Sequence, residues 1–182
     1  MKDSDLRLVQ KMSFVLSIDQ GTSSSRCILF DKSSHQVAVH QLDHEQITPG
    51  QGQVEHDAEE IWRNVHTCIN EVMKKSNLRV SDINSVGITN QRETTIAWNR
   101  KTGKPYHNAI VWSDTRTAPI CDTISKGNID LLRLRTGLPI APYFSASKIV
   151  WLFENVPGLR EDCERGEACV GTMDSFLIYK LT

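Results

Sequence analysis

The stretch FVLSIDQGTSSSRCILF, residues 14–30, predicts two β-strands joined by a short polar turn, because one apolar run ends at Asp19 and a second begins after Arg26. The turn carries four hydroxyl groups, and Gly21 allows the backbone to come close to a ligand. Backbone N–H groups and hydroxyls in such a turn form a concave set of donors that suits phosphate oxygens. Asp19, an acceptor at a strand end, suits a hard cation such as Mg²⁺. A serine-rich surface turn is the alternative, and the strands, the acid and the arginine together favour the anion site.

The composition is that of a globular domain with no general attraction for nucleic acid. The 182 residues are 39% hydrophobic and 24% charged, with 21 basic and 22 acidic side chains and a net charge of −1. Such a balance gives no electrostatic reason to bind nucleic acid or an anionic membrane. No apolar run is long enough to span a membrane, and residues 1–12 predict a loose polar extension before a domain at 13–182. The five cysteines lack Cys-x-x-Cys or zinc-ligand spacing, which favours a reduced, cytoplasmic protein.

The remaining chain alternates strand and helix signals, as an α/β fold does. A third strand over 36–42 predicts an antiparallel meander with the opening hairpin, and His40 and His44 near its end predict solvated side chains rather than a metal site. A helix begins with Asp57 as N-cap, with Glu60 closing a capping box, and runs to about residue 75. The further predicted elements are strands at 83–89, 94–98, 109–112 and 168–172, and helices at 114–126, 128–135, 145–156, 159–166 and 174–181. Ser145 is the predicted cap of the helix at 145–156.

Polar side chains fill the turn Asn90–Glu93, which has no glycine to relieve it. Arg92 supplies a fork of donors and Glu93 a strong acceptor, so the turn suits a polar ligand. An exposed ion pair between these two residues is the alternative. Trp112 stands at the end of the next short strand, where ligand contacts are common, although a core tryptophan is the usual case.

Six stretches stand out when they are taken in chain order. They are Ile18–Arg26 (IDQGTSSSR), Val54–Trp62 (VEHDAEEIW), Gly87–Thr95 (GITNQRETT), Asn108–Trp112 (NAIVW), Pro142–Ser145 (PYFS) and Gly171–Leu181 (GTMDSFLIYKL). Together they resemble the glycerol kinases of the FGGY carbohydrate-kinase family, and their order and spacing are specific although each is weak alone. The resemblance implies a ribonuclease-H-like, actin-like ATPase domain of the α/β class. It would have a mixed five-stranded sheet with helices on both faces and would be incomplete at the C-terminus.

The resemblance also implies a reaction and its site residues. Kinases of this kind transfer the γ-phosphoryl group of MgATP to the 3-hydroxyl of glycerol, giving sn-glycerol 3-phosphate, in a cleft between two domains. By resemblance, the residues that contact the ATP or ADP phosphates are Thr22, Ser23, Ser24 and Arg26. Asp19 is expected to lie near Mg²⁺. The residues expected to bind glycerol are Arg92, Glu93, Trp112 and Tyr143. ATP and Mg²⁺ are the expected cofactors, glycerol is the expected partner, and the full-length form is expected to be a homo-oligomer.

The length departs from the family pattern. The family's catalytic Asp and its second, nucleotide-binding domain correspond to sequence beyond Thr182. We therefore expect residues 1–182 alone to be inactive, since loss of a proton acceptor by itself costs about 10²–10⁴-fold in rate. The alternatives are a non-catalytic glycerol-binding or interaction module derived from a kinase, and a kinase for another polyol or sugar.

Overall fold

The computed structural model describes residues 13–182, and the predicted extension at 1–12 lies outside the described residues. The strands are β1 (Phe14–Gln20), β2 (Ser24–Asp31), β3 (Gln36–Asp43), β4 (Glu55–His56), β5 (Ile83–Asn90), β6 (Thr95–Asn99), β7 (Ala109–Ile110) and β8 (Ala168–Thr172). The helices are α1 (Ala58–Ser76), α2 (Ala118–Ser125), α3 (Arg133–Thr136), α4 (Ser145–Asn155), α5 (Leu159–Glu164) and α6 (Met173–Leu181). Within the described part of the chain, no helix has both the length and the apolar character needed to cross a bilayer.

Strand β1 lies inside a mixed sheet whose strand order is β3-β2-β1-β5. It pairs antiparallel with β2, and β2 pairs antiparallel with β3, which confirms the predicted meander. In contrast, β1 and β5 run parallel. Because parallel strands end at the same edge of a sheet, Gln20 lies opposite Asn90. The tip of the opening hairpin and the polar turn after β5 are thereby brought together.

Helix α1 covers one face of this sheet. Asp57 caps the helix by accepting from the N–H of Glu59, as predicted, but the Glu60 carboxylate accepts from the N–H of Glu45 instead of closing a capping box. Helices α1 and α6 bury a shared apolar core against β1, β2 and β6. Its fully buried members are Ile18, Cys27, Leu29, Ile61, Val65, Cys68, Val72, Ile96, Ala109, Met173, Phe176 and Leu177. Burial of each large apolar side chain contributes roughly 1.5–3 kcal/mol, so this cluster holds the hairpin rigidly in place.

The remaining strands form a second sheet with the order β4-β7-β6-β8. The α/β class with a mixed sheet is confirmed, but within residues 13–182 each sheet has four strands rather than the predicted five. The chain turns away after β5, where Glu93 adopts a positive φ of 66°, and β6 then pairs antiparallel with β8. Within residues 13–182, helices cover one face of the first sheet, and Val15 and Val37 on the opposite face are 40% and 44% exposed.

Several helices begin or end elsewhere than predicted. The helices predicted at 114–126 and 128–135 are shorter, and α2 begins only at Ala118, after Asp114 and Arg116, which form a buried ion pair. Ser145 is the first residue of α4 rather than its N-cap, which is Phe144. The Ser145 hydroxyl donates instead to a carboxylate from another loop.

Candidate functional site

The hairpin tip between β1 and β2 and the turn after β5 enclose a cavity of about 380 Å³. Four separate segments line this cavity, which we name the acceptor cavity after the glycerol-binding residues that the family resemblance implies. The lining residues are Gly21, Thr22, Asn90, Gln91, Arg92, Trp112 and Tyr143. The parallel pairing of β1 with β5 places the first two segments side by side. Three of the four residues that the family resemblance assigns to glycerol therefore lie in one cavity, together with Thr22.

Trp112 and Tyr143 form an aromatic wall of the acceptor cavity. They are 36% and 41% exposed, and their rings meet edge to face with 5.8 Å between centroids. The indole Nε1–H of Trp112 donates to Thr22 Oγ1 at 2.9 Å. Trp112 therefore lines the cavity instead of the apolar core, and its hydrogen bond joins the aromatic wall to the hairpin tip. Aromatic ring faces beside polar groups suit the CH groups of a small polar ligand.

The hairpin tip is ordered by its own backbone and by the strand ends below it. The Gly21 N–H donates to the Ser24 carbonyl at 2.8 Å, and Ser24 Oγ accepts from a glutamine of β3 at 3.1 Å. Ser23 is exposed at the tip. Arg26 Nη2 donates to Asp19 Oδ2 at 2.6 Å, while Arg26 Nε is buried without a partner. The four residues assigned to phosphate by resemblance thus lie on one turn and at the start of β2.

Asp19 is the one carboxylate at the hairpin tip that the resemblance assigns to the vicinity of a metal ion. In residues 13–182, no group of three or more His, Cys, Asp or Glu side chains is arranged to hold a metal ion. In nucleotide sites, however, Mg²⁺ keeps several waters and takes one or two carboxylates together with phosphate oxygens. A single carboxylate, shared with Arg26 at the base of the hairpin tip, fits that kind of site.

Glu93 lies beside the acceptor cavity rather than on its wall. Its φ of 66° is in the left-handed region that residues other than glycine rarely adopt. Its Oε2 accepts from the Ser145 backbone N–H at 2.8 Å and from Ser145 Oγ at 2.7 Å. Among the described residues the alternative ion pair with Arg92 is not formed, since the carboxylate is held by Ser145 instead.

Beneath the cavity lies a buried hydrogen-bond network that the sequence patterns do not predict. His56 Nε2 donates to Gln46 Oε1 at 2.9 Å, and His56 Nδ1 accepts from Gln91 Nε2 at 3.1 Å. His44 Nε2 donates to the Thr22 carbonyl at 2.9 Å. The prediction of a solvated His44 is therefore wrong, because its side chain is packed under the hairpin tip with its ring centroid 4.5 Å from that of His56.

Both histidines of this network are neutral at pH 7. Burial, together with the neighbouring His44, lowers the pKa of His56 to about 4. Burial also lowers the pKa of His44, although the hydrogen bond to the Thr22 carbonyl opposes this shift. Each Nε2 faces an oxygen that can only accept, so both rings carry their proton on Nε2. The one sequence signal for the network was the stretch Val54–Trp62, which places His56 directly before the helix cap.

Lys148 is a second group that the sequence patterns do not predict, and it is fully buried on α4. Its Nζ donates to the carbonyls of Pro142 and Tyr143 at 2.6 and 2.8 Å. Burial lowers the pKa of Lys148 to about 8, and the nearby Glu93 carboxylate opposes this shift. At pH 7 the ammonium group therefore fixes the loop that carries Tyr143 into the acceptor cavity.

Sequence comparison matches nearly all of the described chain to one family. The N-terminal domain of the FGGY family of carbohydrate kinases matches residues 14–182. A glycerol kinase from Beijerinckia indica is 54% identical over 170 residues, and one from Brucella anthropi is 55% identical over 170 residues. Each alignment covers 93% of this chain and 34% of the relative. The chain thus spans about a third of the length of the curated relatives it matches.

Solved structures give the same result. Plasmodium falciparum glycerol kinase with ADP superposes with a TM-score of 0.86 at 40% identity, over 94% of this chain and 34% of that chain. A gluconate kinase from Lactobacillus acidophilus shares the fold, with a TM-score of 0.79 at 20% identity over 92% of this chain and 33% of that chain. These likenesses confirm the predicted ribonuclease-H-like, actin-like fold.

Proposed function

The chain belongs to the FGGY family of carbohydrate kinases, and on that premise we propose that residues 13–182 form the N-terminal, acceptor-binding domain of an ATP-dependent glycerol kinase. The observation that carries this proposal is the cavity in which Thr22 of the hairpin tip lies beside Arg92, Trp112 and Tyr143. Its volume of about 380 Å³ suits a small polyol next to a phosphate-binding turn. The proposed reaction transfers the γ-phosphoryl group of ATP to the 3-hydroxyl of glycerol, giving sn-glycerol 3-phosphate.

The acceptor side of the site matches the chemistry of glycerol, which offers three hydroxyls on a short carbon chain. Arg92 donates hydrogen bonds and Glu93 accepts them. Tyr143 can do either through its hydroxyl, while its ring and that of Trp112 pack on CH groups. A site that pairs each hydroxyl rejects an analogue that lacks one, because its own polar groups are then left without partners.

The phosphate side of the proposed site is the hairpin tip. The Thr22 hydroxyl accepts from Trp112, so its own O–H is free to donate to a phosphate oxygen. Ser23 and Ser24 add hydroxyl donors on the same turn, and Arg26 adds a positive charge. Asp19 is the residue that we assign to the vicinity of Mg²⁺, which neutralises charge on the ATP phosphates when it is bound.

Catalysis in the proposed kinase needs more than these residues. Phosphoryl transfer depends on positioning, on charge neutralisation and on a proton acceptor for the attacking hydroxyl. We place the catalytic Asp and most of the nucleotide site in a second domain, in the part of the relatives that this chain does not match.

The cysteines of the described chain are all free, which supports a cytoplasmic location for the kinase.

An assay of the full gene product with MgATP and glycerol tests the proposed function. We expect ADP formation that depends on glycerol and saturates with it. We expect 1,2-propanediol, which lacks one hydroxyl, to be rejected by at least about 10²-fold in kcat/KM. Turnover of ATP that does not depend on glycerol, or that is faster with xylulose or gluconate, would contradict the proposal.

The contact between Trp112 and Thr22 leads to a second prediction. Trp112→Phe keeps an aromatic wall but removes the donor to Thr22 Oγ1, and a neutral hydrogen bond contributes about 0.5–1.5 kcal/mol. We expect the KM values for glycerol and for ATP each to rise about fivefold, because Thr22 lies between the two binding sites. Steady-state kinetics with Trp62→Phe as the matched control, on helix α1 outside the site, checks this. Unchanged KM values in Trp112→Phe would show that the contact does not matter.

A further inference from the structure

The first turn of helix α4 contacts both Glu93 and the loop that carries Tyr143. Ser145 donates twice to Glu93 Oε2, through its N–H at 2.8 Å and its hydroxyl at 2.7 Å. We propose that Ser145 is a positioning residue for acceptor binding, which holds the Glu93 carboxylate by Oε2 and leaves Oε1 for a hydroxyl of the acceptor. This inference rests on the proposed function and adds to it a residue that sets the acceptor affinity.

Glu93 needs such a partner because its left-handed backbone conformation is not stable without support from neighbouring residues. A residue with a φ of 66° keeps this rare conformation only when its surroundings determine it. The two donors come from the start of a helix of eleven residues, whose positive end favours a carboxylate. Hydrogen bonds to an ionised acceptor are about twice as strong as neutral ones. The contact is therefore strong enough to fix the carboxylate.

The local sequence shows that the Ser145 hydroxyl serves Glu93 rather than its own helix. Serine near a helix start ordinarily caps the helix by accepting from a backbone N–H. Here the N-cap is Phe144, which makes no side-chain cap hydrogen bond, and the Ser145 hydroxyl reaches a residue 52 positions away along the chain. A side chain that is placed for a distant carboxylate instead of a cap indicates a role in the site.

Lys148 strengthens this arrangement from the same turn. Its buried ammonium group holds the Pro142 and Tyr143 carbonyls, so Tyr143 and Glu93 are fixed by neighbouring positions of one helix. The ammonium group and the nearby Glu93 carboxylate also attract each other. The Glu93 carboxylate and the loop that carries Tyr143 are therefore held in a fixed position relative to each other.

The experiment compares Ser145→Ala, Ser145→Thr and Ser147→Ala in the full gene product by steady-state kinetics. We expect Ser145→Ala to raise the KM for glycerol about tenfold, with the KM for ATP changed by less than about twofold, because only the acceptor carboxylate loses a donor. Ser145→Thr keeps the hydroxyl and should restore the KM for glycerol to within about threefold of the wild-type value. Ser147→Ala removes a hydroxyl of the same turn that bonds Thr117 rather than Glu93, and it should leave both KM values unchanged.

The possible outcomes separate this inference from the proposed function. An unchanged KM for glycerol in Ser145→Ala, or no recovery in Ser145→Thr, would overturn the positioning role while the wild-type activity still supports the kinase. A parallel rise of both KM values together with a lowered Tm would assign Ser145 a merely structural role and would also overturn the inference. A wild-type protein without glycerol-dependent turnover would contradict the proposed function first, and with it the role of Ser145.

Discussion

Replacing Glu93 with glutamine is expected to lower kcat/KM for glycerol about 100-fold in the full gene product. The amide oxygen of glutamine can still accept from Ser145, so the side chain keeps its place. Its NH₂ group, however, cannot accept from a hydroxyl of the acceptor, so that hydroxyl loses a charged hydrogen-bond partner. A hydrogen bond to a charged group contributes about 1.5–3 kcal/mol, and the unmatched donor adds to the loss. Steady-state kinetics over a range of glycerol concentrations measures the effect.

A matched control for this change is Glu154→Gln, an exposed glutamate on helix α4. The same loss of charge at that position should leave kcat/KM within about twofold, because exposed charges at the surface contribute little. The KM for ATP should be unaffected in both variants. A fall of less than about threefold in Glu93→Gln would show that Glu93 does not bind the acceptor.

The local elements of the fold follow from the sequence because their causes are local. The hairpin of β1 and β2 follows from two apolar runs around a polar turn, and helix α1 follows from Asp57 and the apolar repeat behind it. The pairing of β6 with β8 could not be predicted in this way. It joins Thr95 to Thr172, which lie far apart in the sequence, and any strand with an apolar face could have served as the partner. The resemblance implied a five-stranded sheet, whereas β6 and β8 belong to a second sheet of four strands within residues 13–182.

The site shows the same division between local and distant contacts. The residue types at the hairpin tip and at Arg92 indicated polar ligands, and the family resemblance added Trp112 and Tyr143. The buried supports were missed, because they depend on contacts between distant segments. His44 reads as a polar residue in a loop, and only the fold shows that it lies under the Thr22 carbonyl. Ser145 reads as a helix cap, and only the approach of Glu93 gives it another partner.

Acid is expected to lower the free energy of unfolding of this chain through the buried His56. The folded-state pKa of His56 is about 4, below the ordinary value of 6.5, so the unfolded chain takes up the proton first. The stability from the neutral ring is therefore complete above pH 6.5 and is lost as the pH falls toward 4. At about 1.4 kcal/mol for each pH unit, the loss over this range is on the order of 3 kcal/mol. Protonation also turns Nδ1 into a donor, and it then faces the Gln91 Nε2–H donor.

Urea unfolding of the chain at pH 7 and at pH 4.5 measures this loss, with His56→Gln and His66→Gln as the comparison pair. His56→Gln removes the titrating ring, so its free energy of unfolding should fall less with acid than that of the wild type, even if it is lower at pH 7. His66 is exposed on helix α1, and His66→Gln should keep the full acid sensitivity. Acidic side chains contribute equally to the pH dependence of all three proteins. The difference in how far the free energy of unfolding falls between pH 7 and pH 4.5 therefore reports on His56. An acid slope that is the same in His56→Gln and in the wild type would place the sensitivity elsewhere, and the buried pair under the hairpin tip would then be no more than a packing feature.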